Sequence, residues 1–251
     1  MVTVQELPTS FAFSIPLYVQ IANRLISQIE TGDLSPGEQL PAEREFSENI
    51  GVNRMTLRRA LQVLESQGLI VRKHGVGTFI AEPKIDRQVE VIYRFTSVMQ
   101  NRGLTPGAKI ISLERIPAGR FLARNLAIDP GDEVFDILRL RSINEEPVML
   151  ENYKISVARF PQLDHYDLEN HSIYEIMENE YAVPIQRARQ SFEPIVASEF
   201  EASILEINIG EALMLETRIS YDARDIPVEF GKDRYRGDRF RFLSETTPFN
   251  F

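Results

Sequence analysis

Arginines set two chemical themes in this 251-residue chain. The first is the run Asn53-Arg54-Met55-Thr56-Leu57-Arg58-Arg59. Leu57, Ala60, Leu61 and Leu64 recur there at i, i+3, i+4 and i+7, which buries one stripe of a helix. Arg54 stands at the helix entrance, with Met55, Arg58, Arg59 and Gln62 on the opposite face. A guanidinium fork can take O6 and N7 of a guanine together or clamp a phosphate, and a helix N-terminus adds its own N–H donors. The second theme is Arg139-Leu140-Arg141. Residues two apart on a strand point the same way, and two cations side by side repel unless an anion or carboxylate lies between them. An anionic ligand is the economical reading. Thr96 and Ser97 fall at the start of a helix after Phe95, and Ser172 precedes Ile173-Tyr174-Glu175. Both places offer hydroxyls and free N–H groups to a phosphate or carboxylate, and simple N-capping is the competing role for each.

The elements around the first theme are legible. Pro41 opens a short helix with Phe46 and Ile50 inward, and Gly51 stops it where a residue tolerant of positive φ is needed. Asn53 then caps the arginine-bearing helix, which Gly68 ends. Two helices joined by so tight a turn form a helix-turn-helix, whose second helix lies in the major groove. Leu69 to Lys73, His74-Gly75-Val76-Gly77 and Thr78 to Ile80 read as strand, glycine turn and strand, a wing placed to touch phosphate or minor groove. An ordinary helical subdomain with solvated arginines is the competing reading, and the agreement of turn, caps and wing argues against it. His74 is a phosphate donor rather than a metal ligand, because His165 and His171 are not at ligand spacing with it. Pro16 starts a supporting helix with Leu17, Ile21, Leu25 and Ile29 on its core face, and Asp33 to Gly37 turn into the reader.

The formal charge of -9 looks wrong for a DNA binder until it is divided along the chain. Residues 53 to 75 hold Arg54, Arg58, Arg59, Arg72 and Lys73 against Glu65 alone, whereas residues 81 to 251 are net acidic. The footprint for nucleic acid is therefore local. The absence of cysteine excludes disulfides and thiolate metal sites, and no cofactor or metal is expected. No apolar stretch is long enough to span a membrane and no signal peptide is evident, so a cytoplasmic protein is expected.

Residues 126–153 and 205–235 look like two copies of one unit: Leu-x-Ile, Gly-Asp/Glu, strand, polar turn, Pro-Val and a second strand. Gly131 lies 16 residues before Pro147 and Gly210 lies 17 before Pro227, so two hairpins of an antiparallel sheet follow. Short helices are expected at about 121–126, 172–180 and 199–205. The fold class is α+β, with a winged domain over residues 14–80, a linker over 81–89 marked by Pro83 and no apolar period, and a pseudo-symmetric antiparallel-sheet domain over 90–245.

Pro16-Leu17-Tyr18, Leu34-Ser35-Pro36-Gly37, Leu40-Pro41-Ala42-Glu43-Arg44, Gly51-Val52, Thr56-Leu57-Arg58, Gly68-Leu69-Ile70 and Gly75-x-Gly77-Thr78-Phe79-Ile80 resemble the GntR family of bacterial transcription regulators in order and spacing. The second half is similar to the UTRA effector domain of the HutC subfamily, a chorismate-lyase-like fold, through Arg102-Gly103, Pro106-Gly107, Arg139-Leu140-Arg141 and Ser172-Ile173-Tyr174-Glu175. The resemblance implies DNA contacts at Arg44, Arg54, Thr56, Arg58, His74 and Gly75, with Arg59 a solvated charge. It also implies an effector site at Phe95, Thr96, Ser97, Arg139, Arg141 and Ser172 for the acid group, lined by Glu151, Tyr174, Glu229 and Tyr235. Glu151 and Glu229 would hold nearly equivalent places in the two copies and accept sugar hydroxyl protons. The expectation is a homodimeric repressor on a palindromic operator, controlled by a small anionic effector, a phosphorylated sugar or amino sugar. Two other effector-domain readings are a urocanate-like carboxylic acid ligand and a lyase-like enzyme. Against the enzyme, no nucleophile and base stand at a diagnostic spacing and there is no P-loop, GxGxxG or metal cluster. An architectural DNA-binding protein would leave Arg139 and Arg141 without a reason.

Overall fold

A computed structural model of the chain describes residues 15–73, 75–92 and 94–246. It divides into two compact units, Met1–Pro83 and Lys84–Phe251. In the first, α1 (Leu17–Thr31), α2 (Glu43–Asn49) and α3 (Arg54–Ser66) precede the strands β1 (Ile70–Lys73) and β2 (Gly77–Ile80). Pro16 stands at the start of α1 and Gly32, at φ 81°, closes it. The Asn53 side chain accepts a hydrogen bond from the Thr56 N–H at 2.8 Å, satisfying one of the orphan donors at the start of α3. Leu57, Ala60, Leu61 and Leu64 are buried against Ile21, Leu25, Leu34, Phe46 and Ile80. Leu17, expected in that core, remains 41% exposed because the core face of α1 begins one turn later, at Ile21.

The wing has a third member that the sequence did not announce. Residues 37–40 run beside β2: Leu40 N–H donates to Thr78 O and Ile80 N–H to Glu38 O, both at 2.8 Å. The Gln39 amide donates to Val76 O at 3.0 Å. Gly77 sits at φ 147°, and a Cβ there would collide with the Gln39 side chain, so the position needs glycine on both counts.

The second unit contains β3 (Ile85–Gln88), α4 (Phe95–Asn101), β4 (Pro106–Pro117), α5 (Arg120–Leu126), β5 (Glu133–Ile143), β6 (Glu146–Ser156), α6 (Ile173–Tyr181), β7 (Arg187–Val196), α7 (Glu199–Leu205), β8 (Ala212–Tyr221), β9 (Pro227–Arg236) and β10 (Phe240–Leu243). Six of its strands form an antiparallel sheet in the order β4-β5-β6-β9-β8-β7. The two expected hairpins are β5–β6 and β8–β9, and they meet along β6 and β9, where Met149 faces Tyr235 and Tyr153 faces Gly231. The internal repeat is longer than the hairpins. It takes in β4 and α5 on one side and β7 and α7 on the other: Ala118, Ala123 and Leu126 are buried as Ala197, Ala202 and Leu205 are. Ala127 at φ 52° and Glu206 at φ 56° end the two helices in the same left-handed turn.

Inward alternation then fixes which side chains share a face. Leu138, Leu140, Leu150 and Leu213 pack with the α7 residues, and Val134 and Phe230 with those of α5. The opposite face carries Ile137, Arg139, Arg141, Tyr153, Glu229 and Tyr235, with α6 and α4 against it through Tyr174, Met177, Phe95 and Met99.

The expected linker, 81–89, requires correction. Ile85–Gln88 is a strand, paired in parallel with β10, and belongs to the second unit. It lacks an apolar period because one of its two inward residues is Arg87, only 1% exposed, and its partner lies at the far end of the chain. The connecting stretch without strand pairing is therefore 81–84.

Candidate functional site

On the first unit, Arg54, Met55, Arg58 and Arg59 are exposed along α3, Met55 by 62%. The Thr56 hydroxyl bonds the Asn53 cap at 3.1 Å, so the side chain is oriented by the helix start. Arg44 lies on the surface of α2 and pairs with Glu48 at 3.2 Å. Arg58 is not a free reader: its Nε and Nη2 fork onto one oxygen of Glu43 at 3.1 and 2.9 Å, while Arg72 takes the other at 3.0 Å. Hydrogen bonding from Arg58, opposed by partial burial, holds the Glu43 carboxyl below its ordinary range, so the carboxylate stays ionised between two arginines. Arg59 faces the other way, into a groove with Tyr18, Gln62, Val63 and Ser66. Gly75, at φ 72°, forms the exposed wing turn; His74 lies outside the described residues.

In the second unit, the paired arginines are not the uncompensated couple that their spacing suggested. Arg139 donates from Nε and Nη2 to Glu151 Oε2 at 3.1 and 2.7 Å, and Arg141 Nη1 reaches the same oxygen at 3.3 Å. Glu151 faces Arg139 directly across the β5–β6 ladder, so the carboxylate that two neighbouring cations require is supplied by the protein. Burial pushes the Glu151 carboxyl up, but the charges of Arg141 and Arg139 outweigh it and hold the group below its ordinary value. Glu151 is accordingly a counter-ion to the arginines first.

Both helix starts converge on this pair. Arg141 Nη2 donates to Thr96 Oγ1 at 2.9 Å and its guanidinium lies over the Phe95 ring at 4.3 Å. Arg139 Nη1 donates to Leu168 O at 2.6 Å and to His171 O at 3.3 Å, the carbonyl just before Ser172. Ser172 holds the N-cap position of α6, yet its hydroxyl makes no capping bond, and Thr96 is engaged by Arg141 rather than by its own helix. Ser97 is half-buried in the first turn of α4, outside these contacts.

The remaining candidates form two adjoining groups. Glu229 Oε1 accepts from Tyr174 at 2.8 Å, Ser220 at 2.6 Å and Arg218 Nε at 2.8 Å, while its buried Oε2 has no hydrogen-bond partner. Tyr235 donates to Glu216 Oε2 at 2.8 Å, and Glu216 also accepts from Arg87. Tyr153 bridges to the arginine pair, with Arg139 at 5.6 Å and Arg218 at 5.7 Å from its ring. Glu151 and Glu229 do not occupy equivalent places. Arg139 faces Glu151, and its counterpart Arg218 faces Gly231, so Glu229 sits one pleat further along.

Arg87, Arg218, Glu216, Ser220 and Asp233 were not recognised from the sequence. Arg218 was accessible through the repeat, since it stands after Gly210 as Arg139 stands after Gly131. Burial, opposed by Arg218 and reinforced by Glu216 and Glu151, pushes the Asp233 carboxyl up to about 7.

With this geometry in place, comparison with known proteins is decisive for the family. Residues 17–80 match the gntR family of bacterial regulatory proteins and residues 101–241 match the UTRA domain. The chain is 37% identical over 229 residues to the HTH-type transcriptional repressor NagR of Bacillus subtilis, covering 91% of this chain and 94% of that one. It is 30% identical to the mannosyl-D-glycerate transport/metabolism system repressor MngR of Escherichia coli, covering 90% and 94%. It is also 30% identical to a histidine utilization repressor of Pseudomonas putida, covering 90% of each chain. Among solved structures, PhnF from Mycobacterium smegmatis superposes with a TM-score of 0.65 at 26% identity, covering 92% of this chain and 99% of that one. These relatives are regulators and not lyases, which removes the enzymatic reading of the second unit. The chain belongs to the GntR family of bacterial regulatory proteins and, with its UTRA domain, is a DNA-binding transcription regulator of the HutC type.

Proposed function

We propose that this regulator is a repressor that binds a palindromic operator as a homodimer and is controlled by a small anionic effector, a phosphorylated sugar or amino sugar. The observation that carries the effector reading is the convergence of two helix starts on one arginine pair, through the Arg141–Thr96 and Arg139–His171 contacts. Arg141 commits three of its five N–H donors, to Gly107 O, Glu151 and Thr96, which leaves donors for an incoming anion. Ser172 and Ser97 add hydroxyls from the helix starts, and the unpartnered Glu229 Oε2 is an acceptor for a ligand hydroxyl or amide N–H. Tyr174 bonds the other oxygen of that carboxylate, Tyr235 stands further along β9 on Glu216, and Phe95 lies under Arg141. Two groups of relatives are named for the use of sugar conjugates, mannosyl-D-glycerate and fructoselysine, which supports a polyhydroxy effector here.

A second reading is favoured by Glu151. Already bound to both arginines, it leaves the pair with one net positive charge, which suits a monoanionic carboxylate such as urocanate; relatives at 30% identity are named for histidine utilization. On the DNA side, Arg44, Arg54, Thr56 and Arg58 with the wing residues Gly75 and His74 supply the contacts, one reader per protomer. Calorimetry against glucosamine-6-phosphate, N-acetylglucosamine-6-phosphate, other hexose phosphates and urocanate separates the effector readings. Binding of a phosphosugar that Arg139→Ala or Arg141→Ala abolishes, with operator affinity retained, is the expected result. Binding of urocanate alone transfers the site to a carboxylate, and a normal response in both arginine variants moves the site elsewhere.

A further inference from the structure

Arg87 is the fourth residue of the second unit, counted from Lys84, where the chain enters it. Its strand β3 is short and lies outside the six-stranded sheet, paired through four residues with β10. A polar side chain is expected to face solvent at such an edge. Arg87 does the opposite. It is 1% exposed, its guanidinium lies 5.3 to 5.5 Å from the rings of Phe192, Tyr235 and Phe242, and its Nη2 donates to both oxygens of Glu216 at 2.8 and 2.9 Å.

Glu216 is fully buried and is shared. It accepts the Tyr235 hydroxyl at 2.8 Å and pairs with Arg218 Nη1 at 3.3 Å. Arg218 in turn binds Glu229 at 2.8 Å and Asp233 at 2.7 Å. A chain of bonded side chains, through Arg218 and Glu216, therefore joins the Glu229 carboxylate to Arg87. In a medium of low dielectric none of these charges can be released singly without a large desolvation cost, so a change in how Arg218 is shared must be answered at Glu216.

We propose that Arg87 is a positioning residue that, through Glu216, ties the chain entering the effector domain to Tyr235 and, by way of Arg218, to Glu229. Placing effector there rests on the function proposed above, but the tie itself does not. A ligand that hydrogen-bonds Glu229 or Tyr235 redraws the Glu216 and Arg218 contacts, and the anchoring of β3 follows, immediately after the 81–84 stretch that leads to the DNA-binding unit. The effector state is thereby delivered to the tether rather than to the surface of the sheet.

Amide hydrogen exchange on the full chain tests the tie without any ligand. Glu229→Gln should speed exchange of the 85–88 and 240–243 amides relative to β5–β6 amides, which control for a global loss of stability. The effect should fall between roughly twofold and a hundredfold, the range for residues sharing one network. In the Arg87→Met/Glu216→Gln background, where both charges of the buried pair are removed together and neither is left unpaired by the other, the same substitution should change nothing at β3. Equal acceleration in both backgrounds, or none in the wild type, overturns the proposal. A second arm reads operator affinity with and without N-acetylglucosamine-6-phosphate: the double variant should bind the phosphosugar by calorimetry yet lose most of the operator response. A double variant that binds the phosphosugar and responds as the wild type does counts against the tie. A wild type that ignores the phosphosugar overturns the effector reading instead, and hydrogen exchange alone then decides the role of Arg87.

Discussion

Gly231 holds, in the second copy of the repeat, the ladder position opposite an arginine that Glu151 holds in the first. The exchange is enforced by space. A Cβ on Gly231 would come within 2.8 Å of Arg218 Nη2 and 2.9 Å of Glu229 Oε2. Arg139 is neutralised from directly across the ladder, whereas Arg218 folds over a glycine to reach Glu229, Glu216 and Asp233. Gly231→Ala should therefore cost about 1 to 3 kcal/mol, the usual range for overpacking a core. Chemical denaturation measures it, and a loss within ordinary surface scatter would show that the arginine has room to move.

Glu151→Gln should be more costly, about 3 to 5 kcal/mol, because it leaves two buried guanidinium groups without their shared carboxylate. Inorganic phosphate or sulfate should then stabilise the variant more than the wild type, approaching about 2.7 kcal/mol at a hundredfold excess over Kd. Melting temperatures titrated with phosphate at fixed ionic strength decide this. Equal responses in the two proteins would mean that the arginine pair is a structural ion cluster and not an anion site.

Local signals made most of the fold legible in the sequence. Asn53, Gly51, Gly68 and the regularly spaced leucines of α3 each act within a few residues, and the structure places all of them as caps, turn and core. The two hairpins were legible because their turns and their Pro-Val steps recur. What escaped depends on distant partners. Ile85–Gln88 gives no strand signal, since its ladder is with residues 155 positions away and one of its two inward groups is an arginine. Residues 37–40 look like the end of a turn until β2 lies beside them. At the site, the spacing of Arg139 and Arg141 correctly put both on one face, but which carboxylate meets them is a matter of register between β5 and β6. Taking Glu151 and Glu229 as equivalents failed for the same reason, by one pleat.

Asp233 gives a pH signature. Its carboxyl is raised to about 7 by burial, so between its ordinary value near 3.8 and about 7 the native protein holds a proton that the unfolded chain releases. The sign follows: this group's contribution to stability is present in acid and is lost as pH rises through about 7. Asp233→Asn imitates the protonated form. Its stability relative to the wild type should rise between pH 5 and about pH 7 and level off above it, as read from denaturation midpoints. A difference independent of pH would show that Arg218 keeps Asp233 ionised throughout.

The face proposed to read DNA is organised by Glu43 as well as by its arginines. Arg54 is exposed at the start of α3, and Arg54→Ala should weaken operator binding by about 1 to 3 kcal/mol if the side chain reads a base. Arg58→Ala should cost the same or more, because it also frees the carboxylate of Glu43 to repel phosphate. Glu43→Gln separates positioning from charge. Without the fork that orients it, Arg58 loses its fixed approach, yet the face gains one net positive charge. Affinity for the operator should fall while affinity for unrelated DNA holds or tightens, narrowing the specificity ratio, and competition binding at two salt concentrations reads both. Should Glu43→Gln strengthen operator and unrelated DNA equally, the Glu43 contact merely masks charge; should Arg54→Ala and Arg58→Ala both bind the operator normally, α3 is not the recognition helix.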